Sequence, residues 1–278
     1  MQYDPIKRSL GNVFNKSPFL RKVFYTLLDL LLLRTWHVKK EFKNWANKNK
    51  NSEVNILDAG SGFGQYSFFM SGMNSNWKIK GVDVKTEQIE DCNQFFKSIN
   101  RNNAHFEFAD LVKFSEPEKY DFVLSVDVME HILEDVEVFK NFHKSMKKGA
   151  TLLISTPSDQ GGSDVHDHDH EHHDHADGED SFIDEHVRDG YNIDEIQEKL
   201  KSAGFSKTTA SYTYGTPGKI SWKLSMKYPI LMLNASKIFF IILPFYYIIT
   251  FPISLILNYF DLIGKHKTGT GLNVIAIK

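Results

Sequence analysis

The chain has 278 residues, 41% of them hydrophobic and 24% charged, with a formal net charge of −2. A chain of that make-up buries a full core of its own, and its single cysteine, Cys92, excludes a disulfide scaffold and suits a reducing cytosol. No internal repeat is visible, and the first residues carry Asp4 with no early apolar run, so no secretory signal is expected.

Residues 1–50 read as a helical N-terminal segment. Ser17-Pro18-Phe19-Leu20 opens a helix with proline at an early position. Phe24, Leu27, Leu28, Leu31, Leu32 and Leu33 give it a broad apolar face flanked by Arg21, Lys22, Arg34, Lys39, Lys40 and Lys43. A basic amphipathic helix of this kind lies on anionic lipid.

The next stretch is the most informative. Val54 to Leu57 reads as an apolar strand that delivers Asp58 and then Gly60, Gly62 and Gly64. Glycine tolerates positive φ and lets the backbone touch a ligand. Tyr66-Ser67-Phe68-Phe69-Met70 suits a helix whose N-terminal amides face the same ligand. A second strand, Trp77 to Val82, ends in Asp83, placed to accept both hydroxyls of a ribose. The glycine spacing is G-x-G-x-G and not the G-x-G-x-x-G of pyrophosphate loops. Asp58 repels phosphate and favours an ammonium or sulfonium group.

This run resembles the first motif, E/D-x-G-x-G-x-G, of the class I S-adenosylmethionine-dependent methyltransferases, and the following elements agree in order. His105 to Phe108 is a strand ending in Ala109-Asp110-Leu111, where that family places an acid near the adenine amino group. Tyr120 to Asp127 is a buried strand followed by Val128-Met129-Glu130-His131-Ile132, and Gly149 to Pro157 is the next strand. The resemblance covers residues 50–160 closely and 181–214 loosely. It implies S-adenosylmethionine as cofactor, held by Asp58, Gly60, Ser61, Gly62, Gly64, Tyr66, Asp83, Val84, Asp110, Leu111 and Asp127. It also offers a second reading of the N-terminal helix, as a lid over the cofactor, compatible with lipid on its outer side.

Asp127-x-x-Glu130-His131 is similar to the E-x-x-E-H segment of the ubiquinone-biosynthesis O-methyltransferases, linked there to a divalent cation. Asp127, Glu130 and His131 are therefore candidate metal ligands, packing against the cofactor being the alternative. The segment favours O-methylation, with His131 and then His186 as candidate proton acceptors.

After the fifth strand, His166, His168, His170, His172, His173 and His175 alternate with carboxylates in a His/Asp-rich loop, 159–180. Such a set can bind zinc, nickel or copper without the spacing of a rigid catalytic site. Residues 156–190 hold twelve acids against Arg188 alone, leaving the rest of the chain net basic. A basic body favours an anionic partner.

Phe205 to Tyr214 reads as the sixth strand and Leu272 to Ile277 as the seventh. Between them, Ile238 to Leu257 is twenty residues without a charge, long enough to cross a bilayer. Pro244 and Pro252 argue against one straight helix. Both flanking strands join one sheet, so the excursion must turn back, as a re-entrant hairpin or as helices lying in the interface.

The expected fold is α/β, a Rossmann-like doubly wound seven-stranded sheet with strand 7 antiparallel, N-terminal helices and a hydrophobic helical insertion between strands 6 and 7. Its parts are the segment 1–50, a core of 51–217 with 266–278, and the insertion 218–265. The expected function is methyl transfer to a hydrophobic small molecule or lipid, by a cytoplasmic protein attached to the inner face of the cell membrane. The alternatives are a soluble homodimeric small-molecule methyltransferase and a non-catalytic S-adenosylmethionine or metal-binding membrane protein. No RNA-binding signature or zinc knuckle is present, so nucleic acid is not an expected partner.

Overall fold

Strands buried on both faces build the centre of the molecule. The computed structural model describes residues 17–50, 52–161, 187–236 and 238–278. Within β1 (Asn55–Ala59), Ile56 and Leu57 point to opposite faces and both are buried, as expected of a parallel strand covered by helices on each side. On one side Leu57 joins Val123, Phe139, Leu152 and Tyr191; on the other Ile56 joins Phe42, Trp77 and Phe122. Ile56→Val removes one methylene from this second cluster. It is expected to cost about 1 kcal/mol and to lower the midpoint of a thermal unfolding scan by about 2–4 °C.

The chain continues through α3 (Gln65–Met73), β2 (Lys78–Asp83), α4 (Thr86–Ser98), β3 (Ala104–Phe108) and β4 (Tyr120–Val126). A 3-10 turn (Met129–His131), α5 (Asp135–Ser145), β5 (Met146–Pro157), α6 (Ile193–Ser202), β6 (Lys207–Thr213) and β7 (Gly271–Ile277) complete the sheet layers. The seven strands run in the order β3-β2-β1-β4-β5-β7-β6, with β7 antiparallel to both neighbours. The order reverses between β1 and β4, which opens a crevice at the carboxyl ends of those strands.

Two helices precede the sheet, α1 (Pro18–Leu31), capped by the Ser17 hydroxyl, and α2 (Leu33–Lys48). Half of the basic face expected of them is engaged inward, while Lys22, Lys40 and Lys43 are exposed. Arg21 is buried, Arg34 pairs with Asp127 and Lys39 with Asp29. Helix α1 therefore packs over the glycine loop, while Phe19, Leu27 and Leu30 face outward.

Between β6 and β7 lies a helical hairpin. Its first arm is α7 (Thr216–Trp222), a π-helical stretch (Lys223–Lys227) and α8 (Tyr228–Ala235); its second is α9 (Phe239–Ile263). Pro244 and Pro252 lie inside α9 without ending it. Each proline withdraws one N–H and leaves the rest of the hydrogen-bond ladder intact.

The hairpin is fastened at its root by Asp261, which is fully buried. Its carboxylate accepts hydrogen bonds from the backbone of Tyr214 (3.2 Å) and Gly218 (3.0 Å) and pairs with His37 Nε2 on α2 at 2.8 Å. Burial pushes the Asp261 pKa up, but His37, His266 and the Gly218 N–H outweigh it and hold the carboxyl below its ordinary range.

Candidate active site

The loop after β1 is shaped by three glycines at positive φ: Gly60 (79°), Gly62 (50°) and Gly64 (73°). A Cβ on Gly60 would sit 2.2 Å from Val128, whereas one on Gly62 would meet only Gln88, at 3.8 Å. The loop is thus pinned at one end and open in the middle. Gly60 N and Ser61 N both donate to Val82 O, at 2.8 and 2.9 Å, tying the loop to the end of β2.

Two carboxylates flank it. Asp58 is buried and accepts a 2.6 Å hydrogen bond from Ser67 Oγ on α3. Burial raises its pKa; the Ser67 hydrogen bonds pull it back and the charge of Asp83 raises it again, leaving it pushed up to about 6. Asp83, half-buried at the tip of β2, accepts from Gly62 N (2.9 Å) and Lys85 N (3.0 Å), one on each oxygen. Ser61 Oγ is buried with no hydrogen-bond partner in the protein. Along the same edge Val84 and Phe108 are exposed, and Asp110 caps its own turn through Val112 N at 3.0 Å. Phe108, an aromatic ring two residues before Asp110, was not singled out from the sequence, although its place at the end of β3 could have flagged it.

Asp58, Gly60, Ser61, Gly62, Gly64, Asp83, Val84 and Asp110 are therefore gathered at the carboxyl ends of β1 to β3. Tyr66 lies in the first turn of α3, packed against the core cluster of Phe42. Leu111 turns into the core and is buried. The loop chemistry fits S-adenosylmethionine: carboxylates for a cation and a diol, a glycine loop with room above Gly62 between them, and exposed apolar surface beyond at Val84 and Phe108.

The lid closes this edge from above. The Tyr25 hydroxyl donates to Phe63 O, and Arg21 donates to Phe63 O at 3.0 Å and to Asp91 O at 3.1 Å. Arg21 also reaches Cys92 Sγ at 3.2 Å, and burial pushes that thiol up to about 12, so Cys92 is inert packing. Arg34 makes the second closure. Its guanidinium pairs with Asp127 after β4, and its backbone N donates to the Tyr214 hydroxyl after β6 at 2.9 Å. Asp127 and Tyr214 both sit at positive φ, 52° and 54°. Strained residues of this kind cluster where a site is held in shape.

The metal expectation for Asp127, Glu130 and His131 is corrected. Asp127 faces Arg34, and Glu130 is buried, accepting from Thr156 Oγ1 at 3.0 Å. The three side chains do not converge. Among the described residues no group of three or more His, Cys, Asp or Glu side chains could hold an ion. His131, on the 3-10 turn, stands half-buried at the crevice. His186 and the six loop histidines, His166, His168, His170, His172, His173 and His175, lie outside the described residues. Just after them Arg188 and Tyr191 are structural: Tyr191 donates to Asp135 at 2.8 Å, and Arg188 pairs with that carboxylate and donates to Ile132 O at 2.6 Å. A cavity of about 870 Å³ at the opposite edge of the sheet, lined by Trp45, Asp121, Lys147 and Ile277, holds none of these groups.

Comparison with known proteins agrees with this geometry. Residues 50–204 match the family described as a methyltransferase domain. A wheat (Triticum aestivum) phosphoethanolamine N-methyltransferase is 26% identical over 157 residues, 56% of this chain and 28% of that protein. The ubiquinone biosynthesis O-methyltransferase of Pelagibacter ubique is 25% identical over 121 residues, 43% of this chain and 49% of that protein. The chain thus spans half or less of these curated relatives. Phosphoethanolamine N-methyltransferase 2 of Haemonchus contortus, solved with S-adenosyl-L-methionine, superimposes with a TM-score of 0.55 at 16% identity, over 85% of this chain and 52% of that one.

Proposed function

We infer the activity of this chain from its family: through residues 50–204 it belongs to the methyltransferase-domain family. The function its geometry supports best is S-adenosylmethionine-dependent methyl transfer to the hydroxyl of a hydrophobic, lipid-like acceptor at a membrane surface. One observation carries this reading. Two acid-tipped parallel strands flank a loop of three positive-φ glycines at the switch point of the sheet.

Asp58 and the loop from Gly60 to Gly64 would hold the cationic end of the cofactor, Asp83 its ribose, and Val84, Phe108 and Asp110 its base. Bound there, S-adenosylmethionine supplies a methyl group on a positively charged sulfur, to be taken by a lone pair of the acceptor while the C–S electrons stay on sulfur. The chain's own part is alignment and exclusion of water. Asp58 places a negative charge below the cation in a dry site, where Coulomb attraction is least screened. Helix α1 and the Arg34–Asp127 pair cover the crevice. His131 receives the proton shed by the acceptor hydroxyl.

The hydrophobic character of the acceptor follows from its neighbours. The Asp261 root sets the apolar hairpin beside Tyr214 and Arg34, at the edge where the acceptor must enter. Incubation with methyl-labelled cofactor and a membrane lipid extract is expected to give a labelled, organic-soluble product with the methyl on oxygen by mass spectrometry. A methylated amine would retire the hydroxyl assignment, and absence of any labelled product from chain that binds the cofactor would retire methyl transfer to lipids.

A further inference from the structure

We propose that the hairpin 216–263 lies lengthwise in one leaflet of an anionic bilayer and that the acceptor is a membrane-resident amphiphile, methylated at its head group without leaving that leaflet. The second half of the proposal rests on the methyl-transfer reading above; the first half does not.

The hairpin is built inside out. On α9 the outward residues are Phe240, Ile241, Phe245, Ile248, Ile249 and Ile256, between 58% and 70% exposed. The inward, buried residues of its root half are Ser254, Asn258 and Asp261. They face the root part of the first arm, residues 216–227, whose buried residues are small, Gly218, Ser221 and Ser225. Polar atoms join the arms: Ser221 Oγ donates to Ser254 O (3.2 Å), Tyr247 to Ser225 O (2.9 Å) and Tyr246 to Leu224 O (2.8 Å). A helix pair in water buries its apolar stripe and exposes its polar one. Small residues and hydrogen bonds between the helices, with large apolar residues outside, suit surroundings as apolar as the side chains themselves.

Charge and length fix the orientation. Beyond Lys227 no described residue of either arm carries a charge until Asp261. The 25 residues of α9 give a helix of about 37 Å. Both ends of the hairpin are nevertheless held on the sheet, since Thr213 and Gly271 are paired across β6 and β7. It therefore cannot cross a bilayer and stay there. Exposed apolar side chains run the whole length of α9, from Phe240 to Ile263. Lying flat, the apolar face sinks to the head-group boundary, while Lys219 and Lys223, four residues apart on the first arm, reach anionic head groups along their stems.

The crevice then opens at the level of the head groups, because the Asp261 root adjoins the Tyr214 and Arg34 closure. An amphiphile can present its polar end there with its tail still in lipid. A water-soluble acceptor would need no such surface.

Full-length chain should float with vesicles of phosphatidylglycerol and phosphatidylcholine and bind pure phosphatidylcholine at least tenfold more weakly. Lys219→Glu with Lys223→Glu should weaken binding to the anionic vesicles at least tenfold. Environment-sensitive probes at Ile241→Cys, Ile249→Cys and Ile256→Cys should all shift to the blue with anionic vesicles; buried Cys92 leaves the labelling selective. A shift at Ile241 alone would overturn the flat orientation. A soluble dimer that shields the three probes and ignores vesicles would overturn the bilayer as occupant. With membrane lipids reconstituted in vesicles, label from the cofactor should float with the vesicles; label recovered only in water would overturn the amphiphile. Calorimetric binding of S-adenosylmethionine by the same preparation keeps the two readings apart. Binding without vesicle association sinks the bilayer placement and leaves methyl transfer standing, whereas vesicle association without binding sinks methyl transfer, and the amphiphile acceptor with it, and leaves the bilayer placement standing.

Discussion

Replacing Asp83 by alanine is expected to lower the affinity for S-adenosylmethionine by two to three orders of magnitude, measured by calorimetric titration. The carboxylate has two duties. It accepts from Gly62 N and Lys85 N, holding the open centre of the glycine loop against the β2–α4 turn. Its half-buried oxygens also form the wall on which a ribose diol would rest. Hydrogen bonds to a charged group contribute about 1.5–3 kcal/mol each, and about 1.4 kcal/mol corresponds to a factor of ten. Losing the loop brace and the diol contact together amounts to roughly 3–4 kcal/mol on the same scale. Asp83→Asn keeps the shape but removes the charge and turns an NH2 group towards one of the two backbone donors, so it should recover only part of the loss. Near-wild-type affinity in the alanine variant would show that the cofactor is held elsewhere.

Asp58 gives the second large effect, read through pH. In the free chain its pKa is pushed up to about 6 by burial. A cation bound above it favours the ionised form, so binding expels a proton from any chain still protonated. Affinity for the cofactor should be flat above pH 6 and fall about tenfold for each unit below it. The effect on stability has the opposite sign. The folded pKa lies above the unfolded value, so the folded chain holds more protons between about 4 and 6 and gains stability as pH falls through that window. Loss of binding with gain of unfolding free energy over one pH interval separates titration of Asp58 from simple acid denaturation. Asp58→Asn should remove both slopes. A binding profile unchanged in that variant would assign the titration to another group.

What could be read from the sequence was what neighbouring residues decide. The strand ends at Asp58 and Asp83 were legible because a short apolar run, an acid and spaced glycines lie within a few positions of one another. The doubly wound seven-stranded sheet was legible once such runs alternated with helical patterns. The N-terminal helix was offered as a lid by the family resemblance, but its contacts were not legible in the same way. Arg21 looked like a solvated charge on a lipid-facing helix, and only the fold brings Phe63 O and Asp91 O within its reach. Arg34 to Asp127 and His37 to Asp261 likewise join residues far apart in the chain. The candidate metal triad failed for a related reason. Spacing placed Asp127, Glu130 and His131 on one turn, but the positive φ at Asp127 turns its side chain towards Arg34 while Glu130 turns inward to Thr156. The continuity of α9 was hidden by its prolines, whose cost was weighed without the partner arm.

The pairing of Thr213 with Gly271 means that residues 214–270, for all their length, occupy the place of a turn between two antiparallel neighbours. Closing a loop grows more costly only with the logarithm of its length, so the sheet is nearly indifferent to what hangs there. The greasy arm is in that sense a detachable fitting. A short turn in its place would leave the strands in register, and another appendage on the same two stubs could send the same chemistry to a different address.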